Sequence, residues 1–268
     1  AVTDYLAARG IPLPDLKRRD PREPGRREKD AAEEELSKLL RRYWRQQAVR
    51  IRERLARAGV TKADQWMTDY LDGQFDDAFW VEDDAVIVAD LALLLTAAAQ
   101  GGAALLDVGF DPDPTLTNKE AAAWAREYAG QMVRKIDDTT RQVLRDQIAA
   151  FVETPGYSLS DVMANLPFDE VRAASVAITE ITRAYAEGQM AAGRQLGTDF
   201  PDVAIVKTWF TNNDERVCTA ICEPLDGKRV PFDSGWGAGG QPDRDGLVSP
   251  PAHPNCRCWM STTTDILA

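Results

Sequence analysis

All four cysteines of this 268-residue chain fall between positions 218 and 258, and its single histidine, His253, falls among them. Cys218 and Cys222 form a Cys-x3-Cys pair, thirty residues intervene, and His253, Cys256 and Cys258 close the set as His-x2-Cys-x-Cys. This crowding constrains the fold more than any other feature. A disulfide framework of a secreted protein spreads its bridges along the chain, whereas the first 217 residues here contain no cysteine. Soft thiolates beside one imidazole match the donors of a structural Cys3His zinc site, whose closed tetrahedral shell adds its binding energy to folding. Five candidates compete for four places. In an extended strand Cys256 and Cys258 point to opposite faces, so one of the two is expected to join the site. A disulfide from Cys218 or Cys222 to Cys256 or Cys258, and reduced thiols packed in a small core, are alternative readings of the same spacing.

A lone histidine also excludes much enzymology. A zinc hydrolase with two or three His ligands cannot be built, nor a nuclease that needs a general-base His beside metal-binding ones. A Cys nucleophile with His253 as base, or a zinc-dependent hydrolase on Cys218 to Cys258, is the enzymatic alternative. The GWGAGG stretch lacks the Lys and Ser/Thr of a phosphate-cradling loop. Adjacent acids such as Asp76-Asp77, Asp83-Asp84 and Asp137-Asp138 point about 100° apart on a helix and read as surface and caps rather than catalytic dyads.

Ahead of the cysteines the pattern is helical. Leu36, Leu40, Tyr43, Trp44, Ile51 and Leu55 form a stripe from about Ala31, with Arg41, Arg42, Arg45, Arg50, Arg52, Arg54 and Arg57 on the remaining surface. A shorter helix is expected over Lys62 to Leu71. The apolar run from Ala85 to Leu106 carries Asp90, Gln100, Gly101 and Gly102, a poor membrane span, and reads as a buried helix or helix pair starting after Glu82, Asp83 and Asp84. Thr117 and Glu120 have capping-box spacing ahead of a long helix to about Val152. A short SLSDVMANL helix follows, then a long one from about Asp169 with Val171, Ala174, Ile178, Ile181, Tyr185, Ala192 and Leu196 inward and Gly197 just past its end. Within it Glu180, with Arg183 and Glu187 at pairing distance, is read as joining this helix to the next module rather than as catalytic.

Composition changes at Phe200-Pro201. VAIVKTWF reads as a strand, LDGKRVPF as a hairpin around Asp226-Gly227, SGWGAGGQPDRDG as a loop, and the tail PPAHPNCRCWMSTTT returns to a short strand. Such a small loop-rich module needs a staple, which the Cys/His cluster supplies. The expected fold is therefore α+β, in three parts. Residues 1–30 form an extended, basic, proline-rich arm, residues 31–200 a helical domain, and residues 201–268 the stapled β module.

Charge follows the same division. The first 60 residues carry 16 Lys and Arg against 10 Asp and Glu, and the other 208 carry 16 against 33, so the net charge of −11 joins a basic arm and helix to an acidic body. The basic part is expected to meet an anionic surface or a partner. No signal-peptide pattern appears at the first residues, and the sparse cysteines suit a reducing compartment. The sequence begins without Met, as a processed or partial chain does.

The segment AITEITRAYAEGQ, then TWFTNNDERVCTAIC, LDGKRVPF and finally PPAHPNCRC, resembles the phage head morphogenesis family, the minor capsid proteins of the Mu F and SPP1 minor head protein type. The resemblance covers about Tyr157 to Met260, with HPNCRC after the Pro-Pro pair its most specific element. It marks Glu180, Asp214, Arg216, Cys218, Cys222, His253, Cys256, Arg257 and Cys258. It implies a structural, non-enzymatic virion component assembled in the host cytoplasm. Its implied partners are the portal protein, other capsid or scaffold proteins and packaged double-stranded DNA, with no membrane, and its implied role lies in procapsid assembly and DNA packaging or ejection. A zinc-stabilised interaction module unrelated to phage is the remaining alternative.

Overall fold

The computed structural model describes residues 23–58, 73–106, 113–212, 217–237 and 246–264. The proline-rich arm through residue 22, the helix expected over Lys62 to Leu71, Asp214, Arg216 and most of the glycine-rich loop lie outside the described residues. Among the described residues four long helices and one short helix precede a small sheet: α1 (Arg26–Arg57), α2 (Asp77–Ala103), α3 (Pro114–Glu153), α4 (Leu159–Ala164), α5 (Glu170–Asp199), then β1 (Ile205–Phe210), β2 (Arg229–Pro231) and β3 (Trp259–Thr264). The fold is α+β, helical first and β last.

Several helix ends differ from the sequence expectation, each for a local reason. α1 begins at Arg26, inside the expected extended arm, because Gly25 takes a positive φ of 68° and its carbonyl accepts the Lys29 N–H. Asp76 caps α2 by accepting the Phe79 N–H at 3.0 Å, which leaves Glu82 to Asp84 inside the helix. For α3 the cap is Asp113, whose carboxylate accepts the Thr115 N–H at 2.8 Å with Pro114 in the first turn, so Thr117 is buried in the helix. α4 carries a full capping box between Ser158 and Asp161. α5 runs through Gly197 to Asp199. In its first turns Ala173 and Ala177 take the inward positions, so Val171, 80% exposed, and Ala174 face outward, while Ile178, Ile181, Tyr185, Ala192 and Leu196 are buried as expected.

The chain divides into two compact units, residues 34–93 with 126–174, and residues 1–33 with 94–125 and 175–268. The first is helical. Ile51 and Leu55 of α1, Phe79 and Trp80 of α2, Leu144, Ile148 and Phe151 of α3, and Val162 of α4 share one core with Phe75 and Leu166. Phe79 meets Phe75 and Trp80 edge-on, at 5.0 and 5.2 Å between ring centres. Trp44 stacks on Phe168 at 5.9 Å and carries the Arg172 guanidinium over its ring at 4.8 Å. Within this apolar interior lies a polar knot. Gln47 Nε2 donates to Asp137 Oδ1 at 2.6 Å and to Tyr43 Oη at 2.8 Å, and that hydroxyl stands 3.3 Å from Asp84 Oδ1.

The second unit is built on a close contact between α2 and α5. A Cβ on Gly188 would stand 1.8 Å from the Ala99 carbonyl oxygen, and one on Gly102 would stand 2.0 Å from the Tyr185 carbonyl oxygen. Only hydrogen at both positions lets the backbones touch. The sheet has the order β2-β1-β3, all antiparallel, with Lys207 opposite Val230 and Thr262 and with Trp209 opposite Met260. Asp226-Gly227 therefore turns the chain onto β1 after a 3-10 turn at Glu223–Leu225, and β2 pairs with β1 rather than within LDGKRVPF. Trp209, Val230, Phe232, Trp236 and Met260 pack with Ala186 and Met190 of α5.

Candidate metal centre

The cysteines enter that same core from two turns. In the first, the Cys222 and Glu223 N–H groups donate to the Cys218 carbonyl at 2.9 and 3.0 Å. The Cys218 thiol accepts N–H bonds from Ile221 first, then Ala220 and Cys222, which hold its pKa below the usual thiol value. In the second turn Asn255 adopts a left-handed φ of 61°, and the Cys256 N–H donates to the His253 carbonyl at 3.2 Å. Asn tolerates this conformation better than most residues do. The Asn255 N–H donates to Thr179 Oγ1 at 2.7 Å, and Thr179 Oγ1 donates to the Ser175 carbonyl at 2.7 Å, so α5 fixes the second turn through Thr179.

These turns bring Cys222, His253 and Cys256 together, with their ligand atoms all within 4.8 Å of one another. Cys222 Sγ lies 3.2 Å from His253 Nε2 and 3.9 Å from Cys256 Sγ. Around a tetrahedral zinc with ordinary bond lengths, sulfur–sulfur and sulfur–nitrogen edges come to roughly 3.8 and 3.5 Å. His253 Nδ1 stands 2.8 Å from the Pro254 carbonyl, which can only accept, so Nδ1 carries the proton and Nε2 presents its lone pair to the sulfurs. That is the orientation a ligating imidazole needs. A cavity of about 40 Å³ opens here, lined by Cys218, Cys222, His253, Cys256 and Cys258 among others.

Cys258 also faces the cluster. Of the Cys256 and Cys258 pair, only Cys256 belongs to the group whose ligand atoms come within 4.8 Å, while Cys258 lines the same cavity. Hydrogen bonding with Cys222 first, and with Cys258, pushes the Cys256 thiol down to about 2. Donation to Cys256 pushes Cys222 up to about 12, and hydrogen bonding with Cys222 and Cys256 raises Cys258 as well. Cysteine ligands give up their protons to a bound metal, so a divalent cation here would be held by thiolates. All four cysteines are free of disulfides.

Of the other sequence-derived candidates, Arg257 lies between the two cysteines with Nη2 4.0 Å from Glu33 Oε2. Glu180 pairs with Arg183 at 3.1 Å, one turn along α5. The arginines of α1 are largely engaged within the chain. Arg41 pairs with Glu170 at 2.7 Å, Arg42 with Asp90 at 2.8 Å, Arg50 with Glu82 and Arg57 with Glu53 at 3.7 Å, while Arg54 lies over the Phe79 ring. Arg45 and Arg52 are exposed and make no ion pair among the described residues.

Two groups escaped the sequence reading. Thr179 was hidden because nothing in a helical Thr signals a contact 76 positions away. Lys207 is fully buried, donates to the Val248 carbonyl at 2.7 Å, and lies 5.8 and 5.5 Å from the Phe232 and Trp236 ring centres. Strand alternation with Ile205 and Trp209 was the available signal.

A helical body that carries a small antiparallel module with a thiolate and imidazole cluster able to hold a metal defines the class. Within it, the family described as Phage Mu protein F like protein matches residues 126–261, from the middle of α3 into β3 and just over half of the chain. The chain belongs to this phage head morphogenesis family. No curated protein and no solved structure matches it.

Proposed function

We propose that this chain is a structural minor capsid protein of a tailed bacteriophage, located in the virion head near the portal. The observation that supports this is the family match over residues 126–261, which takes in α5, β1, β2, the first half of β3 and every cysteine. Membership in a head morphogenesis family makes other capsid proteins the partner class. Within it, the portal protein and the assembly scaffold are the partners of this reading, and procapsid assembly with DNA packaging or ejection is its stage. Among the described residues no helix is long and apolar enough to cross a membrane.

In this reading the cluster holds a structural zinc. Cys222, His253 and Cys256 supply three ligands and Cys258 the fourth, with Cys218 the outer member of the group. A shell of four protein ligands offers no position for substrate or water, so the ion's chemistry is confined to stabilising the module. Proteins of this family are generally structural, and no specific observation favours the hydrolase alternative.

Cryo-EM of procapsids assembled with the portal protein of the same phage tests the proposal. A few copies per particle at the portal vertex are expected. Even distribution over the shell, or absence from particles, overturns it.

A further inference from the structure

The second unit contains a cavity of about 20 Å³ where the first turn of α1 meets α5 and β3. Lys29 of α1, Thr182, Tyr185 and Gln189 of α5, and Trp259 and Met260 of β3 are among the residues that line it. Three of these side chains are polar and almost wholly buried. Thr182 and Gln189 are 2% and 6% exposed, and neither Thr182 Oγ1 nor Gln189 Oε1 has a hydrogen-bond partner among the described residues. Seven positions apart, the two share one face of α5. Lys29 is 3% exposed. Its ammonium has three N–H groups, and its one hydrogen bond among the described residues goes from Nζ to Glu23 Oε1 at 2.7 Å.

We propose that this cavity is a binding site for one water molecule, which joins Lys29 to Thr182 and Gln189. The volume fits, because a cavity needs roughly 10–15 Å³ to hold a water, and a buried water makes about three hydrogen bonds. The balance of donors and acceptors selects the same occupant. Water accepts from the Lys29 ammonium and gives its two protons to Gln189 Oε1 and Thr182 Oγ1. A cation would be repelled by that ammonium, and an anion would meet Gln189 Oε1, which can only accept. An apolar occupant would leave all three groups unmatched, an arrangement that protein interiors rarely contain. Through the water the first turn of α1, with the buried Lys29–Glu23 pair, is fastened to two turns of α5.

The test is a high-resolution crystal structure of the full chain, with oxygen-17 magnetic relaxation dispersion to count long-lived waters in solution. One density peak is expected within hydrogen-bond distance of Lys29 Nζ, Gln189 Oε1 and Thr182 Oγ1. The double variant Thr182→Val with Gln189→Met keeps both shapes and removes both oxygens. In it the peak should vanish and the count of long-lived waters should fall by one. No peak in the wild type, or a protein side chain or a bound ion in its place, overturns the proposal. So does a peak, or a water count, that survives unchanged in the folded double variant. The wild-type density decides alone should that variant not fold.

Discussion

His253 Nε2 stands 3.2 Å from Cys222 Sγ across 31 positions of sequence, and the distance from Cys222 to Cys256 Sγ is 3.9 Å across 34. A metal bound here ties one turn of the β module to the other.

Chelation at neutral pH should therefore unfold the β module while α1 and α3 keep their helicity. Trp209 and Trp236, both fully buried there, report the change by fluorescence. Cys222→Ser and His253→Ala should abolish zinc retention by mass spectrometry. Cys258→Ser should lower it more than Cys218→Ser, because Cys258 bonds directly to two of the clustered sulfurs. Equal retention in those last two variants would place the fourth ligand elsewhere.

The Gly188 and Gly102 contacts predict a steric penalty. Each methyl would enter a carbonyl oxygen's space at 1.8 or 2.0 Å, so Gly188→Ala and Gly102→Ala should each destabilise by about 3 kcal/mol or more, the upper range for overpacking. Both widen one helix pair, so the double variant should cost less than the sum of the singles in chemical denaturation.

Asp137 gives the helical unit a pH dependence. Burial first, then the neighbouring Asp84, pushes its pKa up to about 7 from 3.8, against hydrogen bonds from Gln47 and Tyr43 that pull it down. A raised acid pKa in the folded state favours the protonated form. Its contribution is full below about pH 4 and is lost as pH rises through 7, by at most about 1.4 kcal/mol per pH unit. Hydrogen exchange of α1 and α3 amides should show faster opening at pH 8 than at pH 5. Asp137→Asn should flatten that difference.

Lys207 acts in the opposite direction. Burial pulls it down to about 8 from 10.5, with Asp233 opposing. A depressed lysine pKa means the folded state prefers the neutral amine, so stability is greatest above 10.5 and falls as pH drops through 8. Lys207→Met should remove the wild-type gain in melting temperature between pH 8 and pH 10. A variant that kept the whole gain would assign it to other groups.

The parts of this fold legible in sequence were those fixed by periodicity. Leu36, Leu40, Tyr43, Trp44, Ile51 and Leu55 are all buried, as a 3.6-residue period requires. Helix ends were less legible, because Asp76 and Asp113 competed with equally good capping signals at Asp83 and Thr117, and position in the fold decided between them. At the site the ligand types were plain from composition. Which sulfurs meet was less plain, since five candidates competed and the approach of Cys222 to Cys256 depends on two turns 34 positions apart. Of the polar knot only Tyr43 was legible, as a stripe position; Gln47 and Asp137 look like ordinary surface positions on charged helices, yet both are buried.

The sequence distance from Cys222 to Cys256 also sets an order of events during synthesis. β1 emerges with only β2 to pair with, and Cys222 waits through 30 further residues for His253 and Cys256. The helices can form from the ribosome outward, but the β module closes only once the second turn and β3 have been made. Translation stopped between β2 and His253 should release a chain whose helices are complete but whose β module is unclosed, with Trp209 left without its β3 neighbour Met260.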